Sequence, residues 1–66
     1  MRVNRKALEL AMARACMGRK ELAREAEMPE ATVQNVLNRR SVKPATLGKV
    51  ARALGVDPLE IMEQEE

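Results

Sequence analysis

The sequence predicts an all-α fold, a compact five-helix domain, on three observations. Apolar residues recur at three- and four-residue spacing, and no stretch alternates apolar and polar residues as a strand does. Gly18, Pro29, Pro44, Gly55 and Pro58 cut the chain into pieces of short helical length. The core on offer is aliphatic: the 66 residues include no Phe, Trp or Tyr, so Leu, Val, Ala and five Met must interlock. A chain of this length has room for one small core, and residues 1–66 are read as a single domain.

Asn4 is placed to cap a first helix over residues 5–16, where Leu8, Ala11, Met12 and Ala15 share one face. Met17-Gly18 ends it, and Cys16 is read as a small buried apolar residue. Gly18 opens a second helix over residues 19–26, with Glu21 spaced to bond back to the cap and with Leu22, Ala23 and Ala26 inward. Met28-Pro29 interrupts it, because the residue before a proline avoids the α region. A third helix starts at Pro29 or Glu30 and ends near Arg39, burying Val33, Val36 and Leu37. Proline suits a first turn, where its missing N–H is no loss. After a loop over residues 40–43, Pro44 opens a fourth helix with Leu47, Val50, Ala51 and Leu54 inward, closed by Gly55. Asp57-Pro58-Leu59-Glu60 then supplies a cap, a first-turn proline and a third-position glutamate. The last, acidic helix is expected over residues 58–64, with Leu59 and either Ile61 or Met62 turned in.

Absences limit the chemistry. Without histidine there is no imidazole base or metal ligand, and one cysteine excludes an internal disulfide and a cysteine-rich zinc site. Paired carboxylates fall only on solvated helix faces, and no phosphate-binding glycine loop is present. No enzyme activity, cofactor or metal is expected, and no small-molecule ligand is evident. No apolar run approaches the length of a membrane span or signal peptide, and the lack of disulfides fits a reducing cytoplasm. The net charge of +2 hides an asymmetry. Residues 1–56 carry all 12 Lys and Arg against five acids, a net +7, whereas residues 57–66 carry five acids and no base, a net −5. A basic body with an acidic end suits a polyanionic partner.

The informative stretch is RKELAREAEMPEATVQNVLN, residues 19–38. It fits two helices crossing steeply around a turn of three or four residues, a helix-turn-helix. Such a crossing needs Leu22 and Ala26 to meet Val33 and Val36, Met28 to fill the space under the turn, and a small residue, Ala23, where the helices come closest. The outer side of the third helix then presents Glu30, Ala31, Gln34, Asn35 and Asn38. These side chains suit base edges in a DNA major groove, which admits a helix. Gln and Asn can make two bonds to adenine, Glu can accept from cytosine, and Ala can touch a thymine methyl. The alternative role for Glu30 is structural, favouring the start of the third helix through the macrodipole. RNA and single strands are less suitable partners, because their recognition leans on aromatic stacking.

KELAREAEMPEATVQNVLN, with KPATLGKVARALGVDPLEIM after it, resembles the lambda-repressor/Cro-like helix-turn-helix regulators, also called the xenobiotic-response-element family. The two segments cover residues 20–62. The resemblance implies a lambda-repressor-like DNA-binding fold and a transcriptional regulator, in the usual case a repressor. It implies binding to a double-stranded operator through the third helix, often as a homodimer on a two-fold-related site, in the cytoplasm and at the nucleoid of a bacterium or phage. It also places phosphate contacts at the start of the second helix and after the third, here Arg19, Lys20, Asn38, Arg39, Arg40 and Lys43. Three departures stand out. The family's usual turn glycine is Glu27, its usual Ser or Thr cap is Pro29, and its frequent Arg–Glu pair between the first and third helices is Met12 and Leu37. The competing reading is a protein-interaction module, such as an antitoxin or anti-regulator, docking through the acidic last helix and the Met residues.

Overall fold

Helices begin in this chain at a side chain that meets a backbone amide, at a proline, or at both. The computed structural model describes residues 2–38 and 41–63. It contains α1 (Arg5–Arg14), α2 (Arg19–Glu25), α3 (Glu30–Leu37), α4 (Pro44–Leu54) and α5 (Pro58–Ile61). Asn4 Oδ1 accepts from the Ala7 amide at 3.1 Å. At α2 the Gly18 amide donates to Glu21 Oε1 at 2.8 Å. A Cβ on Gly18 would sit 2.8 Å from that same oxygen, so glycine leaves room for the bond. At α5 the exchange is reciprocal: Asp57 Oδ1 accepts from the Leu59 amide at 2.9 Å, and the Asp57 amide donates to Glu60 Oε2 at 3.0 Å. Of the two starts the sequence allows for the third helix, α3 takes the later, Glu30. Pro29 is extended, with ψ 150°, and stands just outside the helix rather than in its first turn. Its carbonyl accepts from the Thr32 and Val33 amides, as that of a capping residue does, and no side chain caps α3.

Three helices end alike. After α1 the Met17 amide returns to the Met12 carbonyl at 2.9 Å and the Cys16 amide to Ala13 at 3.1 Å. After α2 Met28 returns to Ala23 and Glu27 to Arg24, and after α4 Val56 returns to Ala51 and Gly55 to Arg52. This is the Schellman arrangement, with one left-handed residue followed by an apolar one that folds back on the helix. The left-handed residues are Cys16 (φ 56°), Glu27 (φ 55°) and Gly55 (φ 71°). The apolar followers Met17, Met28 and Val56 are all partly buried against the core. Glu27 is therefore left-handed, as the glycine it replaces implied. Cys16 corrects the sequence reading, because it is exposed. The helix stripe stops at Ala15, the chain turns at Cys16, and Met17 makes the apolar contact instead.

The core joins the inner faces of all five helices. Leu8, Leu22, Val33, Val36, Leu47, Val50 and Ile61 are almost wholly excluded from solvent, and Ala23 at 5% exposure lets α3 pass close to α2. Burying an aliphatic side chain of this size contributes roughly 1.5–3 kcal/mol. Val3 is also fully buried, a member of the core the sequence did not signal. It lies in a short antiparallel pairing with Met62, where the Asn4 amide donates to the Ile61 carbonyl and the Glu63 amide to the Arg2 carbonyl, each at 2.8 Å. That pairing explains why α5 stops at Ile61. The backbone at Met62 turns extended (ψ 152°) and meets the N-terminal segment. A single-turn helix can seat only one side, so Ile61 is buried and Leu59, expected inside, is 61% exposed. The expected end of this helix at Gln64 falls outside the described residues.

A left-handed conformation costs a non-glycine residue about 1–2 kcal/mol. Glycine gives back about 0.4–1 kcal/mol through a freer unfolded chain. Glu27→Gly and Cys16→Gly are each expected to raise unfolding free energy by roughly 0.5–1 kcal/mol in urea titrations. A lower midpoint for either variant would contradict the left-handed turn at that residue.

Candidate nucleic-acid interface

Helical geometry sorts the side chains of α3. Each residue steps about 100° around the axis. With Val33 and Val36 in the core, Ala31, Asn35 and Asn38 point away from it, and all three are exposed. Glu30 and Gln34 lie on one flank of this ridge, and Thr32 lies on the other. The five residues singled out in the sequence thus share the outer side of one helix, held in place by Leu22 and Ala23 beneath it.

The Gln34 flank faces α1 and the start of α2. There Arg19 Nη1 donates to Gln34 Oε1 at 2.6 Å, and Arg19 Nε lies 3.7 Å from Glu30 Oε1. Gln34 Nε2 in turn donates to Asn38 Oδ1 at 3.3 Å. The Arg19–Glu30 pair is about half exposed, so its effect on stability is small. Its effect on charge is larger, because it balances the one carboxylate on the outer side of α3. Below this network runs an open cleft lined by Met12, Met17 and Leu37, with Arg5, Glu9, Arg19 and Gln34 around it. Met12 and Leu37 thus face one space as an apolar pair. Replacing an ion pair by apolar side chains is often neutral or stabilising.

On the opposite flank Asn35 shares a shallow groove with Thr32, Ser41, Val42, Lys43 and Thr46. Lys43 immediately precedes α4, and Lys20 is exposed in the first turn of α2. Arg19 and Lys43 therefore bracket the ridge from its two sides. Arg39 and Arg40, singled out with them, lie outside the described residues. Sequence reasoning passed over the hydroxyls of Thr32, Ser41 and Thr46. Thr32 sits one turn before Asn35 and Val36, a spacing that could have found it. Ser41 and Thr46 join the groove only through the path of the loop, which leaves no periodic signal.

The acidic helix is kept elsewhere. Ala7, Leu10 and Arg14 on the far flank of α1 face α5, and Arg14 Nη2 lies 3.7 Å from Glu60 Oε1. The flank of α1 that faces α3 instead carries Arg5, Glu9, Met12 and Ala13. The body of α1 thus separates Glu60 from the ridge of α3. Among the described residues no group of three or more His, Cys, Asp or Glu side chains could hold a metal, and no helix is long and apolar enough to cross a membrane.

Five helices among the described residues, a left-handed turn between α2 and α3, and an exposed polar α3 with basic residues beside it define a helix-turn-helix DNA-binding domain. The family model of the Cro/C1-type helix-turn-helix DNA-binding domain matches residues 7–66, and the chain belongs to that family. It is a family of DNA-binding rather than catalytic domains. Comparison with curated proteins and with solved structures gave no match.

The Met12 and Leu37 positions can be tested as a coupled pair. Met12→Arg and Leu37→Glu alone each place a charge beside an apolar partner and are expected to cost about 1–3 kcal/mol in urea unfolding. The double variant is expected to recover at least about 1 kcal/mol of the summed loss. Strictly additive losses would show that the two side chains do not share a site.

Proposed function

We propose that this chain is a sequence-specific transcriptional repressor that lays α3 along the major groove of double-stranded operator DNA. Residues 1–66 act as one binding unit, working in the cytoplasm at the DNA of a bacterium or phage. The observation that carries this reading is the exposed ridge of Ala31, Asn35 and Asn38 with Gln34 and Glu30 beside it, bracketed by Arg19 and Lys43. In this reading Gln34 and Asn35 bond adenine edges, Ala31 meets a thymine methyl, and Glu30 and Asn38 complete the base-facing set. Arg19, Lys20, Arg39, Arg40 and Lys43 engage phosphates, which fixes register without reading sequence. Ser41 and Thr46, close to Lys43, add hydroxyl donors to the same strand. The uncapped amides at the start of α3 suit a phosphate oxygen in the same way. A pair of copies reads a two-fold-related site, and the exposed Leu10 and Leu59, away from α3, leave room for apolar contact between them.

Fluorescence anisotropy with duplex DNA, repeated over a range of salt, tests the binding mode. If one copy neutralises about four phosphates, log K is expected to fall with log salt at a slope near −3.6. Gln34→Ala and Asn35→Ala are expected to reduce preference for a selected sequence more than they weaken non-specific binding. An Arg39→Ala/Arg40→Ala double variant is expected to weaken all sequences alike and to flatten the slope by about 1.8. A salt-independent signal would rule this mode out.

A further inference from the structure

The network on the α2-facing flank of α3 does something that a row of phosphate contacts does not. Arginine has five N–H donors and no acceptor. A primary amide facing it must therefore turn its oxygen inward, and Gln34 does so, with Oε1 2.6 Å from Arg19 Nη1. The other end of the same amide is fixed as well, since Nε2 donates to Asn38 Oδ1 at 3.3 Å. Arg19 is itself held in place, because Nε lies 3.7 Å from Glu30 Oε1. Nη2 takes part in neither contact, so its two N–H groups are left for a phosphate.

From this geometry we infer that Arg19 is a specificity-determining positioning residue, which sets the direction in which the Gln34 amide is presented to the bases. The inference rests on the reading of α3 as the base-facing helix. An amide held between Arg19 and Asn38 keeps one oxygen lone pair and one N–H unused. One acceptor and one donor, in a fixed order, are what the N6 and N7 edge of adenine requires. Turned end for end, the amide would set its oxygen against N7 and its NH₂ against the N6 amino group, which are two mismatches. By holding one orientation, Arg19 converts a two-way side chain into a one-way reader. Through Nη2 it also ties that orientation to engagement of the backbone.

The test uses the native chain, Arg19→Met, Arg19→Lys and Gln34→Ala. The side chain at 19 is exposed, so native melting midpoints are expected for all the Arg19 variants. Each protein is used to select from a random duplex pool, and Kd is then measured for the selected duplex and its single-base changes. At the base pair that Gln34→Ala makes indifferent, the native chain is expected to discriminate by about tenfold or more. Arg19→Met is expected to lower this to about threefold or less at that pair alone, while other positions keep their preference. Arg19→Lys, still a donor without an acceptor, is expected to retain more of the preference than Arg19→Met. Equal losses in these two variants would overturn the inference. So would an Arg19→Met protein that binds every duplex more weakly by one common factor, with a salt slope reduced by about 0.9 and its preference intact, because that is the signature of a phosphate contact only. If Gln34→Ala itself leaves every preference unchanged, the base-facing reading of α3 fails, and this inference fails with it.

Discussion

The contact of Leu22 and Ala23 on α2 with Val33 and Val36 on α3 sets the pitch at which α3 leaves the body of the domain. Two local conditions allow it. Glu27 takes a left-handed conformation so that the chain reverses within four residues, and Met28 folds back over the end of α2 to cover the turn. With the inner face of α3 fixed in this way, a helix of eight residues has nowhere to put Ala31 and Asn35 except outside, and Asn38, which ends it, follows on the same side. The exposed polar ridge is thus a consequence of apolar packing beneath it, and a change in that packing would tilt every side chain on the ridge together.

Charge is arranged around the same helix. A body with net +7 would attract nucleic acid in any orientation, which is a weak basis for a specific complex. Orientation comes from placement. Arg19 and Lys43 stand on the two flanks of α3, whereas Glu60 belongs to α5, across α1 from it. The one carboxylate on the outer side of α3, Glu30, has Arg19 beside it. Glu30 alone would repel phosphates. Paired with Arg19, it leaves this flank close to neutral and anchors the guanidinium that faces Gln34.

Much of this was legible in the sequence because it depends on periodic or pairwise signals. The inner faces of α2, α3 and α4 follow from helical spacing, the starts of α1, α2 and α5 from capping side chains, and the outer set on α3 by elimination. The errors came where a contact is non-local or a motif lacked its usual residue. Val3 and the early end of α5 depend on backbone pairing between the two ends of the described chain, which no local pattern reports. Cys16 reads as core from the general burial of free cysteine, but the left-handed turn at the end of α1 puts it outside. Two of the three Schellman endings lack glycine, and the sign that remained was the repeated step from Ala15, Ala26 and Leu54 across one residue to apolar Met17, Met28 and Val56. The Arg19 network was hidden for another reason. It depends on how far apart two crossed helices stand, a distance the sequence does not state.

Amide chemical-shift mapping during titration with a selected duplex addresses the central claim, that the outer side of α3 meets the bases, more directly than any affinity. The largest changes are expected at Ala31, Gln34, Asn35 and Asn38, with smaller ones at Arg19, Lys20 and Lys43 and almost none at Leu10 or Leu59. Changes gathered instead on α1 and α5, with α3 silent, would contradict it.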